Sequence, residues 1–169
     1  VRDLEGRLLK SEQWEHQPKR KVSMASPQDF DDPGALVERT RVMVELAVAI
    51  VEKYKLPLAI ENHKDQRIED RVALYEHIGS EFIGACVDTG NSFALLDDVY
   101  ESIEALAPYA FSVHLKDQSL AEYEDGFLLG DVPLGEGSFD LKRMVRILRT
   151  NKPKLRFSLE IITRDALQV

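Results

Sequence analysis

Four residues that can bind a metal ion each follow or end a short apolar run: Glu61, Asp88, His114 and Glu160. Three carboxylates and one imidazole form an oxygen-rich ligand set that suits Mn²⁺ first, and that can also hold Mg²⁺, Co²⁺ or Zn²⁺. A divalent metal in such a set polarises a carbonyl or hydroxyl group beside an acidic C–H bond. Two carboxylates on opposite sides of a substrate could then remove and return a proton. The residue types therefore predict a divalent-metal site that supports proton transfer.

The elements that must position these residues follow a regular order along the chain. Four apolar runs predict strands, at Leu56–Ile60, Phe82–Val87, Ala110–Val113 and Leu155–Leu159. Amphipathic stretches between and before them predict helices, from Asp32 to about Tyr54, over Ile68 to Gly79, over Asp98 to Pro108, and after a cap at Ser138. Near-continuous apolar strands that alternate with such helices are typical of a parallel sheet covered on its faces.

In a parallel sheet, the carboxyl ends of all strands lie at one edge, so the four candidate ligands should converge. A barrel and an open, doubly wound sheet both give this convergence, but a barrel brings consecutive strand ends around one centre. The alternative is that each residue is a strand-end polar group satisfied by its own loop. That alternative explains one such residue well and four residues at the same edge poorly.

Composition excludes several other classes of protein. The chain has 169 residues and a net charge of −8, which disfavours binding to nucleic acid. No apolar run approaches the roughly 18 residues that a membrane span needs. The single cysteine, Cys86, cannot form an intrachain disulfide and is expected to be a buried, inert thiol, which fits a cytoplasmic location.

Residues 1–22 show no clear period and are assigned to an N-terminal segment of unclear structure. Residues 23–169 are expected to form one domain, and residues 21–25 could provide a further strand at its start. The connection between Asp117 and Ser138 is longer than the others and contains several glycines.

Five motifs together resemble the xylose isomerase-like TIM-barrel superfamily, and within it the sugar phosphate isomerase/epimerase group. They are Ile60-Glu61-Asn62-His63, Val87-Asp88-Thr89-Gly90-Asn91, His114-Leu115-Lys116-Asp117, Val132-Pro133-Leu134-Gly135-Glu136-Gly137 and Leu159-Glu160. The resemblance implies an α/β fold, a (β/α)8 barrel of which this chain holds roughly the C-terminal half, with strands corresponding to about four to eight. Since family barrels have about 250 residues, the expected macromolecular partner is a second copy of the chain or the missing barrel half.

The resemblance also assigns roles to residues. It implies that strands five to eight supply the metal ligands Glu61, Asp88, His114 and Glu160. Glu61 and Glu160 would in addition be the catalytic acid/base pair, acting on a small sugar through an enediolate held on the metal. The candidate contacts to the sugar hydroxyls are His63, Asn91, Lys116 and Glu136. For Lys116, a salt bridge to a neighbouring acid is the alternative.

Two departures from the ketose 3-epimerases of this family affect the expected reaction. Asn91 stands where those enzymes usually carry a histidine, and no arginine occurs between His114 and Gly135. The leading hypothesis is a metal-dependent sugar isomerase or epimerase. The alternatives are a metal-dependent sugar dehydratase or lyase, and a truncated barrel module without catalytic activity. The DNA-cleaving relatives of the superfamily are disfavoured, because the chain is acidic and has only four histidines.

Overall fold

The computed structural model describes residues 32–124, 126–161 and 167–168. The predicted N-terminal segment, the possible strand over residues 21–25 and the boundary between residues 22 and 23 lie outside these ranges. These three expectations therefore stay predictions.

Four parallel strands form the main sheet, in the order β1, β2, β3, β6. Their bounds are β1 Leu58–Glu61, β2 Ile83–Asp88, β3 Ala110–Leu115 and β6 Arg156–Leu159. Each strand pairs with the next parallel strand of the chain, which is the pairing that a barrel requires. The predicted α/β fold with a parallel sheet is confirmed, and each predicted strand lies within two residues of its expected limits.

Four helices precede or connect these strands, and capping residues mark several of their ends. Their bounds are α1 Pro33–Tyr54, α2 Ile68–Ile78, α3 Val99–Leu106 and α4 Leu141–Asn151. The Asp32 side chain caps α1 by accepting a hydrogen bond from the Ala35 N–H at 3.0 Å. At the end of α2, Gly79 takes the left-handed conformation, with φ 60°. Among the described residues, no helix is long and apolar enough to cross a membrane.

One predicted cap is wrong. Helix α4 is capped by Asp140, whose Oδ1 accepts a hydrogen bond from the Arg143 N–H at 2.9 Å, and not by Ser138. The backbone N–H of Ser138 instead donates to the carbonyl oxygen of Gln118 at 2.8 Å, which holds it in the loop before the helix. A capping side chain accepts a hydrogen bond from a free N–H two or three residues later in the chain. Asp140 stands at that position relative to the observed helix start.

Along each strand, successive side chains point alternately into the core and toward the face that carries the candidate ligands. Val87 and Val113 are completely buried, in the same core cluster as the helix residues Ile103, Met144 and Leu148. Successive side chains of a strand point to opposite faces, so the residues after these two valines point the other way. Burying a side chain of this size contributes about 1.5–3 kcal/mol relative to leaving it exposed. The apolar face therefore fixes the direction in which Asp88 and His114 point.

The long connection after Asp117 contains a β-hairpin that the sequence did not predict. Strand β4 (Asp117–Tyr123) pairs antiparallel with β5 (Gly126–Val132), and β7 (Leu167–Gln168) extends them into a second, three-stranded sheet. The strands mix polar and apolar residues without a sustained alternation, so no period of two marks them in the sequence. The hairpin begins two residues after β3 ends, and it therefore lies beside the edge that carries the candidate ligands.

Candidate metal centre

The four predicted metal ligands come together at the carboxyl edge of the main sheet. One ligand atom from each of them lies within 4.8 Å of the others, and the four are Glu61, Asp88, His114 and Glu160. His114 Nδ1 is 3.3 Å from Glu61 Oε2 and 2.6 Å from Glu160 Oε2. In the register of the sheet, Asp88 pairs directly with His114. The geometry therefore depends on the pairing of neighbouring strands.

Three atoms of this cluster are buried and make ion-pair contacts only, with no hydrogen bond, in the described part of the chain. They are Asp88 Oδ2, His114 Nδ1 and Glu160 Oε2. Buried polar atoms are costly unless they find a partner, and most find one. One cation bound by an imidazole nitrogen and carboxylate oxygens would satisfy all three at once. The residues present thus fit a divalent metal ion.

The pKa shifts of the cluster indicate an excess of negative charge. Burial raises the pKa of Glu61, and the neighbouring charge of Asp88 raises it further. Burial also raises the pKa of Asp88, although the ammonium group of Lys116 opposes this shift. Crowded carboxylates in a poorly solvated place resist ionisation, and a bound dication reverses that tendency.

Asp88 is held by its own loop and by the preceding strand. Its Oδ1 accepts hydrogen bonds from the N–H groups of Gly90 at 2.9 Å and Asn91 at 3.0 Å. The amide side chain of Asn62, at the end of β1, accepts from the Asp88 N–H at 2.8 Å and donates to the Asp88 carbonyl oxygen at 2.9 Å. The Asn62 side chain thereby continues the hydrogen bonding between β1 and β2 beyond the end of β1. The sequence did not predict this role.

The four predicted substrate contacts divide into two buried and two exposed residues. Asn91 and Lys116 are only 1% and 4% exposed, and both contact candidate ligands. The Asn91 amide donates to Glu61 Oε1 at 3.1 Å, and Lys116 Nζ lies 2.8 Å from Asp88 Oδ2. His63 and Glu136 are exposed to solvent. For Lys116, the structure shows a salt bridge to a neighbouring acid.

A further organising residue, Asp117, was missed by the sequence analysis. It is completely buried, and its carboxylate accepts hydrogen bonds from four backbone N–H groups. The donors are Gln118, Gly135, Gly137 and Phe139, at 2.9–3.3 Å. Asp117 therefore fixes the loop that carries Glu136, and a side chain at Gly137 would place its Cβ 2.1 Å from Asp117 Oδ1. The only available signal was an acid followed, about twenty residues later, by paired glycines.

Cys86 lies under the cluster, where a ligand atom from each of Glu61, Cys86 and His114 falls within 4.8 Å of the others. The thiol is buried, as predicted, and burial raises its pKa to about 11. A protonated thiol is a poor ligand for Mg²⁺ or Mn²⁺, whose preferred partners are oxygen atoms. The oxygen and nitrogen atoms above it therefore remain the better ligand set.

Residues 21–168 match the family model described as xylose isomerase-like TIM barrel. A curated relative, the 3-oxo-isoapionate decarboxylase of Pectobacterium atrosepticum, is 31% identical over 103 residues, which are 60% of this chain and 38% of the relative.

Solved structures show the same fold at lower identity. A xylose isomerase-like TIM barrel protein from Mycobacterium smegmatis in complex with magnesium has a TM-score of 0.62 and 19% identity, over 84% of this chain and 47% of that one. An L-ribulose 3-epimerase has a TM-score of 0.58 and 17% identity, over 76% and 41%. The chain thus spans less than half the length of these relatives. It belongs to the xylose isomerase-like TIM-barrel family.

Proposed function

We propose that this chain carries the metal centre of a sugar isomerase or epimerase that transfers a proton next to a carbonyl group. The observation that carries the proposal is the placement of Glu61 and Glu160. Glu61 ends the first strand of the main sheet and Glu160 directly follows the last, and both reach His114 Nδ1, at 3.3 and 2.6 Å. Two carboxylates that approach one centre from different strands can act on opposite faces of a small substrate.

All four residues of the cluster hold the metal in this proposal, and Glu61 and Glu160 also transfer protons. Mn²⁺ is the first choice for such an oxygen-rich set with one imidazole. When bound, the metal would withdraw electrons from the substrate carbonyl and acidify the adjacent C–H bond. One of the two glutamates removes that proton, and the other delivers a proton to the same or the neighbouring carbon.

Recognition of the sugar is assigned to the exposed residues of the rim. His63 and Glu136 are exposed, follow β1 and β5 respectively, and are proposed to bind substrate hydroxyl groups. Asn91 and Lys116 are almost completely buried and contact the candidate ligands Glu61 and Asp88. We therefore assign these two residues to holding the ligands, and not to direct contact with the sugar.

A second candidate function is decarboxylation of a 3-oxo sugar acid. It is favoured by the relative of 31% identity, which is named for that reaction. The C–C bond to the carboxylate would break, carbon dioxide would leave, and the electron pair would pass to the carbonyl side. A single proton delivered to the carbon by Glu61 or Glu160 would complete the product. This reaction uses the same cluster but needs one proton transfer in place of two.

The two functions can be separated in deuterated water. The purified chain, loaded with Mn²⁺, would be incubated with a panel of ketoses, their phosphates and 3-oxo sugar acids, and the products followed by NMR. Epimerisation or isomerisation incorporates deuterium with no loss of carbon, whereas decarboxylation releases carbon dioxide and dehydration releases water. A chain that binds Mn²⁺ but converts none of these substrates would instead be a non-catalytic barrel module.

The role of Glu160 is tested by the Glu160→Gln variant. Loss of a general acid or base typically costs 10²–10⁴-fold, so we expect at least a hundredfold lower exchange per bound metal. Glu81→Gln is the matched control, because Glu81 is exposed in the turn at the opposite end of β2. Exchange that persists unchanged in Glu160→Gln would refute the assignment.

A further inference from the structure

Lys116 places a positive charge inside a cluster of carboxylates. Its side chain is 5% exposed, and its Nζ lies 2.8 Å from Asp88 Oδ2 and 3.8 Å from Glu160 Oε1. Nζ is also 3.4 Å from Asn91 Oδ1, which accepts a hydrogen bond from it. A buried lysine is rarely found without such partners, because desolvation of an ammonium group is costly. The ammonium group therefore contacts two of the four candidate metal ligands.

The backbone of Lys116 is fixed as firmly as its ammonium group. Its N–H donates to Thr89 Oγ1 at 2.9 Å, and the Thr89 hydroxyl donates to the Lys116 carbonyl oxygen at 3.2 Å. Thr89 directly follows Asp88, so the residue that carries the charge and the ligand that it contacts are tied together. The base of the Lys116 side chain is therefore fixed beside the Asp88 loop, while its ammonium group is held by Asp88 and Asn91.

The formal charge of the cluster follows from a short count. Glu61, Asp88 and Glu160 contribute three negative charges and Lys116 contributes one positive charge, while His114 binds a metal as neutral imidazole. The sum is −2, which a divalent cation neutralises. Asp88 and Lys116 are buried, so solvent screens the charges of this pair poorly and the balance affects which ions the site holds.

We propose that Lys116 is a built-in counter-cation that matches the metal centre to divalent rather than trivalent ions. This inference rests on the proposed metal centre and deepens it. Lys116 is a positioning residue, since its ammonium group acts on the metal through the charge it adds beside Asp88 and Glu160. A sugar hydroxyl is not needed to satisfy the ammonium group, because carboxylate and amide oxygens already surround it.

The alternative is that Lys116 only holds the Asp88 carboxylate in place. The two roles predict different effects of a neutral substitution. Loss of a purely mechanical support would weaken the binding of every cation by a similar factor. Loss of a charge would change the binding of a trivalent ion by more than that of a divalent ion, because Coulomb energy scales with the charge of the ion.

The test compares Tb³⁺ with Mn²⁺ on the full chain, by Tb³⁺ luminescence and by Mn²⁺ paramagnetic resonance in competition titrations. In Lys116→Met and Lys116→Gln, we expect the ratio of Tb³⁺ to Mn²⁺ affinity to rise roughly a hundredfold to a thousandfold, as expected for one unit of charge about 4–6 Å away at an effective dielectric constant near 20. Lys142→Met, which removes an exposed charge on α4, should leave the ratio unchanged. Lys116→Arg should return the ratio toward that of the unmodified protein.

The outcomes separate this inference from the proposed function. A ratio that stays constant in both neutral variants, with both affinities reduced alike, would show that Lys116 is only a mechanical support. Failure of the unmodified chain to bind either ion would overturn the metal centre itself, and the inference with it. The ratio is measured on one protein sample at a time, so a difference in stability between variants does not imitate the expected change.

Discussion

Asn62 offers a test of how the sheet holds the candidate metal centre together. Its side-chain amide makes two hydrogen bonds to the backbone of Asp88, at 2.8 and 2.9 Å, and the residue is 3% exposed. The Asn62→Ala substitution removes both partners at once. It leaves one buried N–H and one buried C=O of Asp88 without the groups that now bind them.

The expected cost follows from these two orphaned groups. A buried donor or acceptor left without a partner costs about 1–3 kcal/mol. Two such groups, reduced by the side-chain freedom regained and by any water that enters, give an expected loss of about 2–4 kcal/mol. That is a large fraction of the roughly 5–15 kcal/mol that stabilises a typical domain. The end of β2 should loosen as well, so Mn²⁺ affinity is expected to fall.

The assay is urea unfolding of the metal-free chain, with the free energy of unfolding taken from the linear dependence on urea. Asn151→Ala is the matched control, because the Asn151 amide donates to the Ile147 carbonyl oxygen at 3.1 Å on an exposed helix end. The control should lose less than about 0.5 kcal/mol. A loss of similar size in both variants would refute the conclusion that Asn62 continues the hydrogen bonding between β1 and β2.

Three further predictions concern the loop, the core and the ionisation of the site. Gly137→Ala would place a Cβ 2.1 Å from Asp117 Oδ1, so we expect destabilisation of about 1–3 kcal/mol in urea unfolding. Leu148→Ala opens a cavity at a fully buried position and should cost about 2–5 kcal/mol, whereas Leu46→Ala, at a side chain 73% exposed, should cost less than about 0.5 kcal/mol. Because the fold raises the pKa of Glu61, the folded metal-free chain binds that proton more tightly than the unfolded chain, and its stability should fall as the pH rises through the raised pKa. Glu61→Gln should reduce that slope in unfolding measured across a pH series, and saturating Mn²⁺ should abolish it.

The arrangement of the main sheet could be predicted because its signals are local and repeated. Each strand is a short apolar run, each helix has one apolar face, and Asp32 and Gly79 mark a start and an end by their own chemistry. The convergence of the ligands then follows from topology, because parallel strands that are connected through helices place their carboxyl ends at one edge. No knowledge of side-chain packing is needed for that step.

The parts that could not be predicted depend on contacts between distant residues. The two strands of the β4–β5 hairpin show no sustained alternation of polar and apolar residues. Nothing in either strand alone therefore indicates that they pair with each other. Asp117 reads as one more acid in the sequence, but its burial makes it the acceptor of four N–H groups. Lys116 and Asn91 have types that suit a sugar-binding surface, and only the structure shows that they are buried and contact candidate ligands.

The geometry of the candidate metal centre depends on strand register more than on the loops. Glu61 ends β1, Asp88 ends β2, and Glu160 follows β6 directly, while Asp88 and His114 face each other in the ladder. A shift of one residue in any pairing would turn a ligand to the helix-covered face, because side chains alternate along a strand. Buried valines next to Asp88 and His114 oppose such a shift, since it would expose them and bury a charge in their place. The same apolar contacts that stabilise the fold therefore fix the positions of the residues proposed to perform the chemistry.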